Sequence, residues 1–203
     1  MNRLFTLFLI FTIGFSAFSQ TREYAVKVVG IRVGTIYATK KQVKDSVSYS
    51  ISSNVDVNFL VYRLKVDYKV KSLMLGGSLL NSSAFVKSNR GNYKTITTAS
   101  GKSYSIVSER HDKNVTKNVS ENITGTFACL FFEEPKNKKR IYAEFYANFI
   151  DFTKPSPHYY RGILDDNIDE FYYENGELVK LVKKNRITDM VIEYQPPSNK
   201  NTR

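Results

Sequence analysis

The sequence lacks the residues on which several common chemistries depend. Its 203 residues include one cysteine, Cys129, and two histidines, His111 and His158. A single cysteine cannot form an intramolecular disulfide, and together with two histidines it cannot supply the four ligands of a structural zinc site. We therefore expect no metal and no cofactor, and a fold held together by its hydrophobic core.

Motifs for nucleophilic catalysis are also missing. No Gly-x-Ser-x-Gly sequence is present, so nothing indicates a serine nucleophile on a strand-to-helix turn. Cys129 lies in the apolar run FACLFF. Such a setting is typical of a buried thiol rather than of a nucleophile paired with His111 or His158. The sequence therefore predicts no catalytic site.

Three carboxylates remain as candidates for acid–base chemistry: Glu133 and Glu134 in FFEEP, and Glu144 in YAEFY. Adjacent residues of a strand point to opposite faces, so Glu133 and Glu134 cannot share a site on a strand. Charged groups at the surface are the simpler interpretation. A hydrolase whose acidic site the sequence does not reveal is therefore kept as an alternative.

The longest apolar run is at the N-terminus. LFTLFLIFTIGFSAF follows Arg3, and the small residues Ala17 and Ser19 come at its end. This pattern predicts a signal peptide at residues 1–19, cleaved after Ser19, with an uncleaved anchor as the alternative. The rest of the chain is predicted to form a single β domain at residues 20–195 and a flexible tail at residues 196–203.

The stretch YAVKVVGIRVGTIYATKK, residues 24–41, has the strand and glycines of a phosphate-binding loop. Such a loop needs a helix after the glycines, because the helix N-terminus supplies the amides that bind phosphate. Here a β-type run follows, and the Lys-Ser/Thr pair after the second glycine is absent. We expect Gly30 and Gly34 to bend a strand or to form a hairpin between residues 24–29 and 33–39.

Apolar and polar residues alternate in the next stretch. The apolar residues fall on odd positions from Val47 to Phe59 and on even positions from Leu60 to Val70. A period of two predicts two strands, each with one buried and one solvated face, as in an antiparallel sheet covered on one side. The change of phase between Phe59 and Leu60 requires a turn or a bulge there.

Turn signals divide the rest of the chain into further short strands. LGGS, SNRGN and ASGK predict turns, and Asn175-Gly176 predicts a type I′ hairpin. One short helix is compatible with residues 126–134, capped by Thr124 or Thr126, although a buried strand fits the same run. The sequence therefore predicts an all-β, mainly antiparallel protein. Its curved sheet or half-barrel would be closed on the concave side by this segment.

Aromatic residues are densest in the C-terminal half. The run IYAEFYANFIDF, interpreted as one strand, carries aromatic residues on both of its faces. Such a strand is either sandwiched or lines a cavity. Simple burial is the favoured interpretation, and a ligand cavity is the alternative. Its predicted lining residues are Tyr142, Phe145, Tyr146, Phe149 and Phe152.

Lysine and arginine exceed aspartate and glutamate by 30 to 19, which gives a formal net charge of +11. Arg63, Lys65, Lys69 and Lys71 fall on the polar face of one predicted strand. An ordinary solvated face is the favoured interpretation, and an anion-binding face is the alternative. Outside the cytoplasm such a face meets anionic lipid, polysaccharide or acidic protein, so we expect no nucleic-acid partner.

The chain resembles a family of exported bacterial proteins of the Gram-negative envelope that is defined by a domain of unknown function. The resemblance rests on VKVVGIRVGTI, on SNVDVNF followed by KVDYKVKS, on LFFEEP and on YYENGELVK, and it covers most of the chain after residue 19. At the level of shape, the chain is distantly similar to periplasmic lipoprotein carriers. The resemblance implies export and a curved sheet, and it transfers no catalytic residue.

Together these patterns predict a non-catalytic binding protein of the periplasm or cell envelope. Its expected partner is a lipid or another apolar or amphipathic ligand, or else an envelope protein. Besides the hydrolase, the alternative is a structural surface module that binds anionic polysaccharide or membrane through the basic face. The sequence does not indicate an oligomeric state.

Overall fold

The structure, a computed structural model, describes residues 18–59, 62–110, 113–184 and 188–197. Most of the predicted signal peptide, and the predicted tail from residue 198 onward, lie outside the described residues. Phe18 and Ser19, which the sequence assigns to the signal peptide, are the first two residues of strand β1. Within the described ranges, no helix has the length and apolar character needed to cross a membrane.

Strands make up most of the described chain, which confirms the predicted all-β class. The only helical element within these ranges is a short 3₁₀ helix, Phe127–Phe131. The strands are β1 (Phe18–Val28), β2 (Ile31–Val43), β3 (Ser46–Phe59), β4 (Tyr62–Leu75), β5 (Ser78–Ser88), β6 (Gly91–Ser100), β7 (Ser103–Arg110), β8 (Lys113–Val119), β9 (Arg140–Ala143), β10 (Asn148–Ser156), β11 (Tyr159–Leu164), β12 (Asn167–Glu174), β13 (Glu177–Lys183) and β14 (Met190–Gln195).

All of these strands form one antiparallel sheet of 14 strands, in the order β8-β7-β6-β5-β4-β3-β2-β1-β14-β13-β12-β11-β10-β9. Strands β1 to β8 pair in sequence order, and so do strands β9 to β14. The two series join where β1 pairs with β14, with Tyr24 opposite Tyr194. The edge strands of the sheet are therefore β8 and β9, which follow each other in the chain and are joined by residues 120–139.

The alternation in β3 and β4 is confirmed. In β3, Tyr49 and Ile51 are buried, and in β4, Val70 is buried between exposed lysines. Strand β3 ends at Phe59, strand β4 begins at Tyr62, and these two residues pair with each other. The change of phase therefore corresponds to the connection at residues 60–61, which lies outside the described residues.

The predicted hairpin at the first glycine is also confirmed. The two residues between β1 and β2 have positive φ angles, 50° at Val29 and 76° at Gly30, as a type I′ turn requires. Gly34 lies inside β2, where a Cβ would come within 2.4 Å of the Asn54 carbonyl oxygen. The second glycine therefore serves close approach between β2 and β3 rather than phosphate binding.

Residues 121–147, here called the inserted segment, cross the sheet face that we call concave. The segment contains strand β9 and the 3₁₀ helix. This helix lies within the predicted helical region 126–134. The helix contacts β2, β3, β4, β9 and β13. Strands β4 and β13 are separated by β3, β2, β1 and β14, so both reach one short helix only because the sheet curves around it.

The interpretation of IYAEFYANFIDF as a single strand was wrong. The run forms a hairpin, in which Glu144–Ala147 is the turn between β9 and β10. Ala147 has a φ of 55°, a left-handed conformation that lets the chain reverse without glycine, proline or an Asn-Gly pair. The aromatic residues that fell on opposite phases therefore belong to two strands and a turn.

The hairpin at Asn175 and Gly176 generates a test of the fold. Both residues have positive φ, 52° and 81°, and the flanking strands place Phe171 opposite Leu181. A β-branched side chain at Gly176 is strained at this φ by about 1–2 kcal/mol. We expect Gly176→Val to lower the thermal midpoint, measured by circular dichroism, by at least about 3 °C.

A matched control for Gly176→Val is Thr98→Val, an isosteric change at an exposed position of β6 with ordinary strand geometry. It should leave the midpoint within about 1 °C of wild type. A Gly176→Val protein as stable as Thr98→Val would contradict the hairpin.

Candidate functional site

A cavity of about 300 Å³ lies between the concave face of the sheet and the inserted segment. Its sheet wall consists of Val26, Ile36, Ile51, Val55, Leu64, Val66, Val86, Met190 and Ile192. Its opposite wall consists of Phe127, Phe131, Ala143 and Phe145 of the inserted segment. Because nearly every wall residue is aliphatic or aromatic, the cavity is apolar.

A small number of polar groups interrupt this apolar wall: Ser53, Tyr68, Glu144, Tyr146 and Lys183. The Lys183 ammonium lies 2.6 Å from a carboxylate oxygen of Asp169 and 5.5 Å from the centroid of the Phe127 ring. Its charge is therefore balanced inside the protein. Few polar groups within an apolar wall are typical of ligand pockets, where they fix the orientation of the ligand.

Glu144 is a buried carboxylate, with 1% of the residue exposed. It accepts hydrogen bonds from the Phe127 N–H at 2.9 Å, the Ala128 N–H at 3.2 Å and the Ser72 hydroxyl at 2.7 Å. The two N–H groups belong to the first turn of the 3₁₀ helix, where a helix offers them no partner. Thr126 occupies the N-cap position, as predicted, but its side chain makes no capping hydrogen bond. Glu144 accepts from these N–H groups instead, from the β9–β10 turn.

Side chains of the sheet satisfy the other end of the same helix. The hydroxyl of Tyr24 and the guanidinium of Arg22 each donate to the Phe131 carbonyl at 3.0 Å. The hydroxyl of Tyr173 donates to the Leu130 carbonyl at 3.0 Å. The last carbonyls of a helix need such partners when they are buried. The 3₁₀ helix is thus tied to β1 and β12.

A third set of contacts ties the β9–β10 hairpin to the other half of the sheet. The Phe145 carbonyl accepts from the Thr95 hydroxyl and from the Arg110 guanidinium, each at 3.1 Å. The hydroxyls of Thr97 and Tyr142 lie 2.7 Å apart. Strands β6 and β7 are therefore held close to the inserted segment, which completes the curvature of the sheet.

The predicted cavity residues divide into two groups. Phe145 and Tyr146 line the cavity. Tyr142 is fully buried beside Thr97, and Phe149 packs on Tyr142 with ring centroids 5.5 Å apart. Phe152 packs on a ring of β12, outside the cavity lining. The missed wall residues come from β1 to β5, β13, β14 and the inserted segment. The alternation of apolar and polar residues was a signal only for those of β3 and β4.

The predicted basic residues all lie in β4 and are exposed on the convex face: Arg63, Lys65, Lys69 and Lys71. Lys65 pairs with Asp56 at 2.9 Å. Among the acidic side chains that the structure describes, none forms an ion pair with Arg63, Lys69 or Lys71. Asp67, which lies in the same exposed row, lowers the net charge of this face.

Glu133 and Glu134 lie outside the strands and have different partners. Glu133 accepts a hydrogen bond from the Lys40 ammonium at 2.8 Å. Glu134 accepts one from the Tyr160 hydroxyl at 2.7 Å and lies 3.1 Å from Nδ1 of His158. The two carboxylates therefore take part in separate contacts, and neither lines the cavity.

Cys129 lies inside the 3₁₀ helix with 5% of the residue exposed. Burial, followed by the negative charge of Glu133, raises the pKa of the Cys129 thiol to about 12. The thiol is therefore protonated near neutral pH, which is the opposite of an activated nucleophile. His158 lies against Glu134, and His111 lies outside the described residues.

The buried carboxylate generates a prediction about pH. Burial raises the pKa of Glu144 above the usual 4.5 and outweighs the hydrogen bonds, which lower it. The folded state therefore holds this proton more tightly than the unfolded state. The free energy of unfolding should fall as the pH rises above 4.5, by up to about 1.4 kcal/mol per pH unit from this group.

The Glu144→Gln variant has no group to titrate at this position, so its unfolding free energy should lack that decline. Urea unfolding at a series of pH values measures the difference between the two proteins. Glu174→Gln, at an exposed position of β12, is the control and should follow the wild type. Parallel pH profiles for wild type and Glu144→Gln would contradict the account.

Residues 24–195 match the family described as a domain of unknown function (DUF6134). Neither a curated protein nor a solved structure matches the chain, so the similarity to lipoprotein carriers stays a prediction. The matched range begins in β1 and ends at Gln195, the last residue of β14. It includes the inserted segment and every wall of the cavity, and the chain therefore belongs to this family with a domain of unknown function.

Proposed function

We propose that the protein is an exported, non-catalytic binding protein of the cell envelope that holds an apolar or amphipathic small molecule. The observation that carries this proposal is the apolar cavity of about 300 Å³ between the sheet and the inserted segment. Ligand pockets in proteins begin at about this volume. The inserted segment that forms one wall is hydrogen-bonded to β1, β12, β6 and β7, which hold this wall against the sheet.

The cost of an unfilled apolar cavity also supports a ligand. Protein interiors contain few voids larger than a water molecule. The apolar walls of a cavity this open are in contact with water when no ligand is bound, which costs free energy in proportion to their area. An apolar ligand restores the missing contacts with Val55, Val66 and Phe131.

Binding of N-phenylnaphthylamine, an uncharged probe that fluoresces in apolar surroundings, tests the proposal. We expect the wild-type protein to enhance its fluorescence in a saturable manner. Val66 lines the cavity from β4, and the larger side chain of Val66→Phe would occupy part of it. This variant should bind the probe about tenfold more weakly, since less apolar surface is buried on binding.

Val107→Phe is the matched control. Val107 lies in β7, and 39% of the residue is exposed, so the same substitution there leaves the cavity intact. The control should bind the probe as the wild type does. A wild-type protein that does not bind the probe, or a Val66→Phe protein that binds it equally well, would overturn the proposal.

The proposal of export is supported by the N-terminal sequence. The apolar run that ends with small residues before Gln20 is typical of a signal peptide. Cleavage after Ser19 would remove only the first two residues of β1, which pair with Gln42 and Lys41 at the end of the strand. The β1–β2 pairs from Gln20 onward would remain, so cleavage is compatible with the fold.

A second candidate function is attachment to an anionic envelope surface. It is favoured by the exposed row in β4 in which Arg63, Lys69 and Lys71 have no acidic partner among the described side chains. We expect the protein to sediment with vesicles containing phosphatidylglycerol, less so at high salt because salt screens exposed charges. The double variant Lys69→Glu/Lys71→Glu should lose this binding. Equal sedimentation of variant and wild type would contradict this function.

A further inference from the structure

The polar groups that line the cavity differ in whether they already form hydrogen bonds or ion pairs within the protein. Glu144 accepts three hydrogen bonds from the protein, and Lys183 pairs with Asp169. The hydroxyl of Tyr68, by contrast, has no hydrogen-bond partner among the described residues. Tyr68 is partly exposed and lines the cavity, so its hydroxyl can donate a hydrogen bond to a ligand without giving up a partner in the protein.

The position of Tyr68 directs it into the cavity. It lies in β4 between Ser53 of β3 and Val86 of β5, and all three line the cavity. The Tyr68 ring packs edge-on against the Phe145 ring, with the centroids 6.1 Å apart. The Tyr68 side chain therefore extends from the sheet wall toward the inserted segment, where Glu144 and Tyr146 also line the cavity.

The charges around this hydroxyl limit which group can bind to it. Burial, followed by the negative charge of Glu144, raises the pKa of Tyr68 well above its usual value of 10.0, so the phenol remains a hydrogen-bond donor. The partners of Glu144 are a hydroxyl and two N–H groups, none of which carries a full positive charge. A carboxylate or phosphate bound at Tyr68 would leave water for an apolar cavity whose lining cation, Lys183, is already paired with Asp169.

We propose that the cavity selects an uncharged ligand with an apolar body and one acceptor oxygen, as in a ketone or an ester, which accepts a hydrogen bond from the Tyr68 hydroxyl. This inference rests on the proposed function, because it concerns the ligand of the same cavity. It adds the chemical class of the ligand and the residue that recognises its polar atom.

Displacement of bound N-phenylnaphthylamine by octane, hexyl methyl ketone and octanoate tests the inference, because these molecules differ in the polar group and not in the number of carbon atoms. We expect Tyr68→Phe to lower the affinity for the ketone about fivefold, which is the typical net effect of one hydrogen bond. The affinity for octane should not change. The melting temperature should not change either, since the hydroxyl has no partner within the described part of the chain.

Tyr37→Phe is the matched control, because Tyr37 is exposed in β2 and lies outside the cavity lining; it should behave as the wild type. A ketone affinity that Tyr68→Phe leaves unchanged, or tighter binding of octanoate than of the ketone, would overturn the inference. If octane still displaces the probe in that case, the proposed function stands. If none of the three molecules displaces the probe, both the proposed function and this inference fail.

Discussion

The backbone of the inserted segment is shielded from water, so its polar groups need hydrogen-bond partners within the protein. The rest of the structure depends on this constraint. A buried helix leaves N–H groups unsatisfied at its start and carbonyl groups at its end. Here Glu144 accepts from the start of the 3₁₀ helix, and Tyr24 and Tyr173 donate to its end. These contacts join strands that are distant in the sheet, so the same interactions that satisfy the segment also curve the sheet around it.

The cavity follows from the way the segment is tethered. The 3₁₀ helix is fixed to β1 and β12, and the β9–β10 hairpin is fixed to β6 and β7 through Thr95 and Arg110. Between these two anchors the segment contacts β2 to β4 only in part and leaves a gap that is lined by their aliphatic side chains. Closer packing would require the anchors to move, and the buried Glu144 opposes this because its hydrogen-bond partners would be left unsatisfied.

The sheet was largely predictable because its determinants are local. Alternation assigned the buried face of β3 and β4, and the Asn175-Gly176 pair identified the β12–β13 hairpin from residues that are neighbours in sequence. The site was less predictable because it is assembled from distant residues. Nothing local indicates that Glu144 caps a helix that begins at Phe127, and the Glu144–Ala147 turn lacks the usual turn residues. Only the isolated glutamate in YAEFY, an ionisable residue within an aromatic run, marked that position.

The central claim is that the gap beneath the inserted segment holds an uncharged, largely apolar molecule. Native mass spectrometry of the protein purified from its own cells tests this claim most directly. The account predicts a mass above that of the chain, with the excess released on denaturation and identified as a small molecule that contains an acceptor oxygen and no ionised group. The same mass under native and denaturing conditions, or a released molecule that carries a carboxylate or phosphate, would contradict it.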